Sequence, residues 1–231
     1  MMVKLIGYDI ERKKMLSVIR EEARETFMYT GKKAFDERIL KVMGSLPRHE
    51  FIPRGVRAFA YDNSPVYIGH GQTISQPYIV ALMTDLLSPE PFHKVLDIGT
   101  GSGYQAAILS RLVDKVYSME IVRPLAEKAI QRFHDLEYDN IDVKVGDGYD
   151  GWPEKAPFDS IIVAAATPVI PIALVRQLKP GGVLVLPLGE AFNYQQLVAV
   201  HKSLQGEIST RYVLPVSFVP MVGYHRNDTT L

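Results

Sequence analysis

The chain has 231 residues, 47% of them hydrophobic and 23% charged, and 26 Lys and Arg balance 26 Asp and Glu to a formal net charge of zero. Such values suit a soluble globular protein large enough to bury a substantial core, and the charge balance argues against a partner held by bulk electrostatics, such as duplex nucleic acid or an anionic membrane. The absence of cysteine excludes disulfides, thiolate metal sites and a cysteine nucleophile. The N-terminus lacks the apolar stretch of a secretory signal, and no run approaches about 18 apolar residues, so a cytoplasmic protein without membrane spans is expected.

In chain order, the segment from about residue 8 to 60 reads as helical. Leu16, Ile19, Ala23 and Phe27 recur at helical spacing among Arg12, Lys13, Lys14, Glu21, Glu22 and Arg24, whose charges read as a solvated face. A second short helix fits Asp36 to Met43, closed by Gly44 and stopped before Pro47. The stretch PVYIGHGQTISQPY (65–78) reads as a polar, glycine-bearing loop, and Ile79, Leu82, Met83, Leu86 and Leu87 mark a helix opening near Pro77. Strands and helices then alternate. KVLDIG (94–99) precedes a helix over Tyr104 to Leu112, and KVYSME (115–120) precedes one from about Pro124 to Leu136. IDVKVGD (141–147) and FDSIIVA (158–164) follow, then a helix from near Pro171 to just before Pro180, then GVLVLPL (182–188). Near-continuous apolar strands separated by helices predict a parallel sheet covered on both faces. QQLVAVHK and RYVLPVSFV have no helix between them and suit an antiparallel hairpin within 195–222. No repeat or linker marks a boundary, so residues 1–231 are expected to form a single α/β domain, with a helical extension (1–60), a core (76–188) and the terminal hairpin.

The strongest chemical signal is Asp97-Ile98-Gly99-Thr100-Gly101-Ser102-Gly103 between a strand and a helix. Glycines there allow a tight turn and let a ligand approach the backbone. Glu120 ends the next strand roughly twenty residues on, where an acid can accept from both ribose hydroxyls. A dinucleotide fingerprint needs glycine or alanine where Tyr104 stands, which makes an NAD enzyme a distant alternative. An acid directly before the loop suits a sulfonium ligand bearing an ammonium group and would repel a diphosphate. Asp147 and Gly148 follow the third strand, where Asp147 either accepts from an adenine amino group or merely ends the strand in a turn. Ser75 and Gln76 precede Pro77, and on local sequence either one could cap the helix that follows. The six histidines form no ligand spacing, no HExxH-type pair is present, and no metal site is expected.

Taken together, PRHEFIP (47–53), AYDNSP (60–65), GQTISQP (71–77), LDIGTGSGYQAAILS (96–110), VGDG (145–148), FDSIIVAAATPVIP (158–171), LKPGGVLVLPLG (178–189) and PVSFVPMVG (215–223) resemble the protein-L-isoaspartate O-methyltransferase family. The resemblance runs from about residue 35, and GQTISQP is its most specific element. It implies a Rossmann-like S-adenosylmethionine-dependent methyltransferase sheet, mostly parallel with an antiparallel C-terminal hairpin. It also implies S-adenosyl-L-methionine as donor and isoaspartyl-containing peptides and proteins as acceptors. By the same resemblance Ser75 is the active-site serine, with Thr73, Ile74, Gln76 and Val219-Pro220 on the substrate. Asp97, Gly99, Thr100, Gly101, Ser102, Gly103, Glu120, Asp147 and Gly148 would hold the donor. Two features stand apart from the family pattern: residues 1–30 match no family motif, and Ala164-Ala165-Ala166-Thr167-Pro168 leaves the contact near Thr167 open. An isoaspartyl α-carboxylate, with a pKa near ~3.5, is already ionised at neutral pH and needs no general base, so Ser75 is expected to orient it. A monomer without nucleic-acid or membrane partners is expected. The alternatives are a same-fold enzyme acting on a small molecule or RNA, and a non-catalytic S-adenosylmethionine-binding module.

Overall fold

The alternating strands and helices form a seven-stranded sheet in the order β5-β4-β3-β6-β7-β8-β9. The computed structural model describes residues 6–190 and 193–223. Its helices are α1 (Asp9–Glu25), α2 (Phe27–Thr30), α3 (Glu37–Ser45), α4 (Pro77–Leu86), α5 (Tyr104–Leu109), α6 (Arg123–Asp135) and α7 (Ile172–Gln177). A small two-stranded sheet, β1 (Val66–Gly69) and β2 (Gln72–Ile74), precedes α4. The main sheet contains β3 (Lys94–Ile98), β4 (Lys115–Glu120), β5 (Ile141–Val145), β6 (Phe158–Val163), β7 (Leu178–Leu188), β8 (Gln195–Lys202) and β9 (Ile208–Val216). β3 to β7 pair in parallel, whereas β7-β8 and β8-β9 pair antiparallel.

Why the central strands read as unbroken apolar runs is clear from the pleat: successive side chains enter two different cores. Val95, Val116, Val183 and Val185 join one cluster with Met15, Ile39, Leu82, Ile108 and Phe133 from the helices. Their neighbours Leu96, Ile98, Leu184 and Leu186 join a second cluster with Leu174 of α7. The N-terminal helices thus share a core with the sheet.

Several boundaries differ from the sequence reading, each for a physical reason. In α1 the buried face is Arg12, Met15, Ile19 and Ala23. Phe27 falls outside it because the helix breaks at Thr26, whose hydroxyl donates to the Glu22 carbonyl at 2.7 Å. Residues 66–74 are a hairpin rather than a loop. Its two-residue turn, His70 and Gly71, has φ of 55° and 74°, the left-handed pair that matches strand twist. α7 stops at Gln177 and β7 begins at once, absorbing Pro180-Gly181-Gly182 as an irregularity between Phe158↔Leu178 and Ser160↔Val183. Pro215 is tolerated because β9 is the edge strand.

Candidate active site

β4 and β5 lie on one side of β3, and β6 and β7 on the other. The crevice beyond the carboxyl ends of β3 and β6 is therefore a topological switch point, where sheets of this kind bind ligands. Three backbone bonds shape its floor. Gly99 and Thr100 N–H donate to the Met119 carbonyl at 2.8 and 3.0 Å, and Ala164 N–H donates to the Ile98 carbonyl at 2.8 Å. Gly99 has φ of 90°, and a Cβ there would lie 3.6 Å from that of Ala164. Glu120 completes the turn: its Oε2 accepts from Gly101 N–H at 2.8 Å and its Oε1 from Val122 N–H at 2.9 Å.

Of the residues the sequence singled out for the donor, Gly99, Thr100, Gly101, Ser102, Glu120 and Gly148 border this cleft. Asp97, Gly103 and Asp147 do not. Asp97 is fully buried behind the loop, where its Oδ2 accepts from Ser118 Oγ at 2.7 Å. Ser118 Oγ in turn lies 2.6 Å from Thr100 Oγ1, while Asp97 Oδ1 has no partner among the described residues. Burial pushes the Asp97 carboxyl up to about 7, partly offset by the Ser118 hydrogen bond and reinforced by the Glu120 charge. Gly103 is pressed against α6: a Cβ would fall 2.6 Å from Phe133 Cζ. Asp147 Oδ1 accepts from Tyr149 N–H at 2.9 Å and so caps the turn that presents Gly148.

A second cavity adjoins the first. Thr73, Ser75 and Val219 border both, Gln76 borders only the second, and Ile74 is a buried wall of the first. Ser75 does not cap α4. Gln76 occupies the cap position without a side-chain bond, Pro77 fills the first turn, and the Tyr78 N–H is taken by Asn63 Oδ1 at 3.0 Å. The Ser75 hydroxyl makes no hydrogen bond with any described residue, so it is available at the junction. His70 sits exposed in the hairpin turn and borders neither cavity.

Two contributions were missed in the sequence. After β9 the chain turns back, and Ala166 pairs with it: Ala166 N–H donates to the Val219 carbonyl and Met221 N–H to the Ala166 carbonyl, both at 2.8 Å. Met221 and Val222 thereby close the wall beside Gly148. Thr167 is buried and binds β7 through its backbone, away from both cavities. The other contribution is Glu22, which borders the second cavity. It accepts hydrogen bonds from Asn63 Nδ2 and, at 3.3 Å, from Gln76 Nε2. Burial raises its pKa against the lowering effect of those two amides. Nothing in the charge run of α1 distinguishes Glu22 from Glu21.

Among the described residues, no Lys, Arg or His borders either cavity. A carboxylate, hydroxyls and backbone groups, with no cation among the described residues, fit a cationic sulfonium nucleoside better than a diphosphate. A family model for protein-L-isoaspartate(D-aspartate) O-methyltransferase matches residues 10–226. The chain belongs to this family. It is therefore a carboxyl O-methyltransferase that uses S-adenosyl-L-methionine. It is 56% identical over 209 residues to protein-L-isoaspartate O-methyltransferase 2 of Polaromonas sp., covering 90% of this chain and 99% of the relative. The like-named protein of Syntrophobacter fumaroxidans is 54% identical over 218 residues, covering 94% and 88%. A solved protein-L-isoaspartate O-methyltransferase superposes with a TM-score of 0.77 at 27% identity, covering 92% of this chain and 66% of that one. A Plasmodium falciparum structure described as a beta-aspartate methyltransferase in complex with S-adenosyl-L-homocysteine shares the fold, with a TM-score of 0.74 at 24% identity.

Proposed function

We propose that this methyltransferase esterifies the free α-carboxylate of L-isoaspartyl residues in damaged peptides and proteins, with Ser75 as the residue that orients the acceptor. The observation that carries this reading is the uncommitted Ser75 hydroxyl, on the border shared by the glycine-loop cleft and the adjoining groove.

Glu120, with Gly99, Gly101, Ser102 and Gly148 around it, would hold S-adenosyl-L-methionine. Glu120 already accepts two backbone N–H groups and retains lone pairs for the ribose diol. When bound, the donor supplies a methyl group made electrophilic by its positive sulfur. The acceptor is ionised at neutral pH, so no side chain has to remove a proton. What the chain contributes is alignment and exclusion of water. Ser75 donates a hydrogen bond to one carboxylate oxygen, and Thr73 and Val219 flank the path between the cavities. Gln76, held by Glu22, lines the groove that takes the peptide.

We further read the chain as one folding unit, because α1 and α3 share a core with the sheet. We also read it as a cytoplasmic monomer without nucleic-acid or membrane partners; among the described residues no helix is long and apolar enough to cross a membrane. The test is methyl transfer from labelled S-adenosyl-L-methionine to two peptides differing only in isoaspartate against aspartate. Base-labile label confined to the isoaspartyl peptide is expected. Label on neither, with donor binding intact, would redirect the acceptor to RNA or a small molecule.

A further inference from the structure

An anion has to enter a groove where, among the described residues, the one charged wall residue is Glu22, itself acidic. A positive charge lies just behind that wall. Arg48 is fully buried, and burial lowers its pKa, with no carboxylate among the groups that oppose the shift. Its Nε donates to the Ala60 carbonyl at 2.7 Å and its Nη2 to the Ser75 carbonyl at 2.7 Å. Its guanidinium carbon stands 4.8 Å from the Tyr104 ring centroid, and Nη1 has no hydrogen-bond partner among the described residues. Burying an arginine without an acid is costly, so a stability role accounts poorly for it.

The peptide between Ser75 and Gln76 transmits the charge. It is trans, so its N–H points opposite to its carbonyl. With the Ser75 carbonyl turned inward onto Arg48, the Gln76 N–H faces the other way, and both residues line the groove. That N–H has no hydrogen-bond partner among the described residues.

We propose that Arg48 is a positioning residue for the methyl acceptor: its charge, seated on the Ser75 carbonyl, polarises the 75–76 peptide so that the Gln76 N–H and Ser75 hydroxyl form a preset site for the carboxylate. Hydrogen bonds to a charged group are roughly twice as strong as neutral ones, and a donor polarised from behind needs no reorganisation when the anion arrives. The inference rests on the reading of Ser75 given above.

The test is binding, measured with S-adenosyl-L-homocysteine present, of an isoaspartyl peptide and of the same peptide carrying an α-carboxamide. Wild type is expected to bind the carboxylate peptide more tightly. Arg48→Gln is expected to weaken that peptide by about tenfold while changing the carboxamide peptide and S-adenosyl-L-homocysteine by less than twofold. Equal weakening of both peptides, or an unchanged preference, overturns the proposal. If Arg48→Gln does not fold, the wild-type Gln76 amide provides the same decision by nuclear magnetic resonance. A downfield proton shift with the carboxylate peptide alone supports the site, and an unshifted amide refutes it. Ser75→Ala in parallel separates the two ideas, because loss of the Ser75 role would leave the Arg48 and Gln76 results to stand or fall alone.

Discussion

Glu120→Gln is the sharpest probe of the cleft. The wild-type carboxylate accepts Gly101 N–H at 2.8 Å and Val122 N–H at 2.9 Å, one on each oxygen. Glutamine keeps one acceptor and sets an amide donor against the other N–H, which stays inside the protein without a partner. An unsatisfied buried donor costs about 1–3 kcal/mol, and for a chain of this length that lowers Tm by roughly 2–12 °C. The ribose would separately lose one acceptor bond to an ionised group, about 1.5–3 kcal/mol. At about 1.4 kcal/mol per tenfold, Kd for S-adenosyl-L-homocysteine should rise roughly 10- to 150-fold. Calorimetric titration measures the second effect and a thermal melt the first. A variant with lowered Tm but Kd within twofold of wild type would make Glu120 a structural cap of the glycine turn and nothing more.

Three other outcomes are expected. Ser75→Ala should lower kcat/KM for an isoaspartyl peptide about 10- to 100-fold, with binding of S-adenosyl-L-homocysteine nearly unchanged; equal loss of both would remove Ser75 from the acceptor site. Gly103→Ala combines a φ of 87° with a Cβ 2.6 Å from Phe133 Cζ, so a cost of about 1–3 kcal/mol should appear as a lower Tm that Phe133→Leu partly restores, and no recovery in the double variant would contradict that contact. Folding raises the Asp97 pKa from 3.8 to about 7, so the folded state binds this proton more tightly and Asp97 ionisation destabilises it as pH climbs through that window. The Tm of Asp97→Asn relative to wild type should therefore increase between about pH 4 and pH 7 and level off above, and a constant difference would show that folding does not raise the Asp97 pKa.

The elements themselves were legible because each depends on neighbours in the chain. Apolar runs of strand length, the Gly99-Gly101-Gly103 turn and the acid at the end of β4 follow from local spacing, and the GQTISQP stretch carried the family. The same locality explains the misreadings. A hairpin at 66–74 turns on the backbone angles of His70 and Gly71, and the periodicity of α1 continues through Thr26 although the helix does not.

What surrounds the site was decided by contacts across long separations. Asp97 heads the glycine motif, yet pairing of β3 between β4 and β6 buries it behind the cleft. Glu22 reaches Gln76 across 54 residues, and Arg48 reaches Ser75 across 27. Met221 and Val222 join the wall because the tail pairs with Ala166. Residue type and spacing determine which chemistry a segment can offer. Which segments meet, and whether a charged group ends exposed, buried or aimed at a ligand, depends on how the sheet orders its strands and on which face each helix covers.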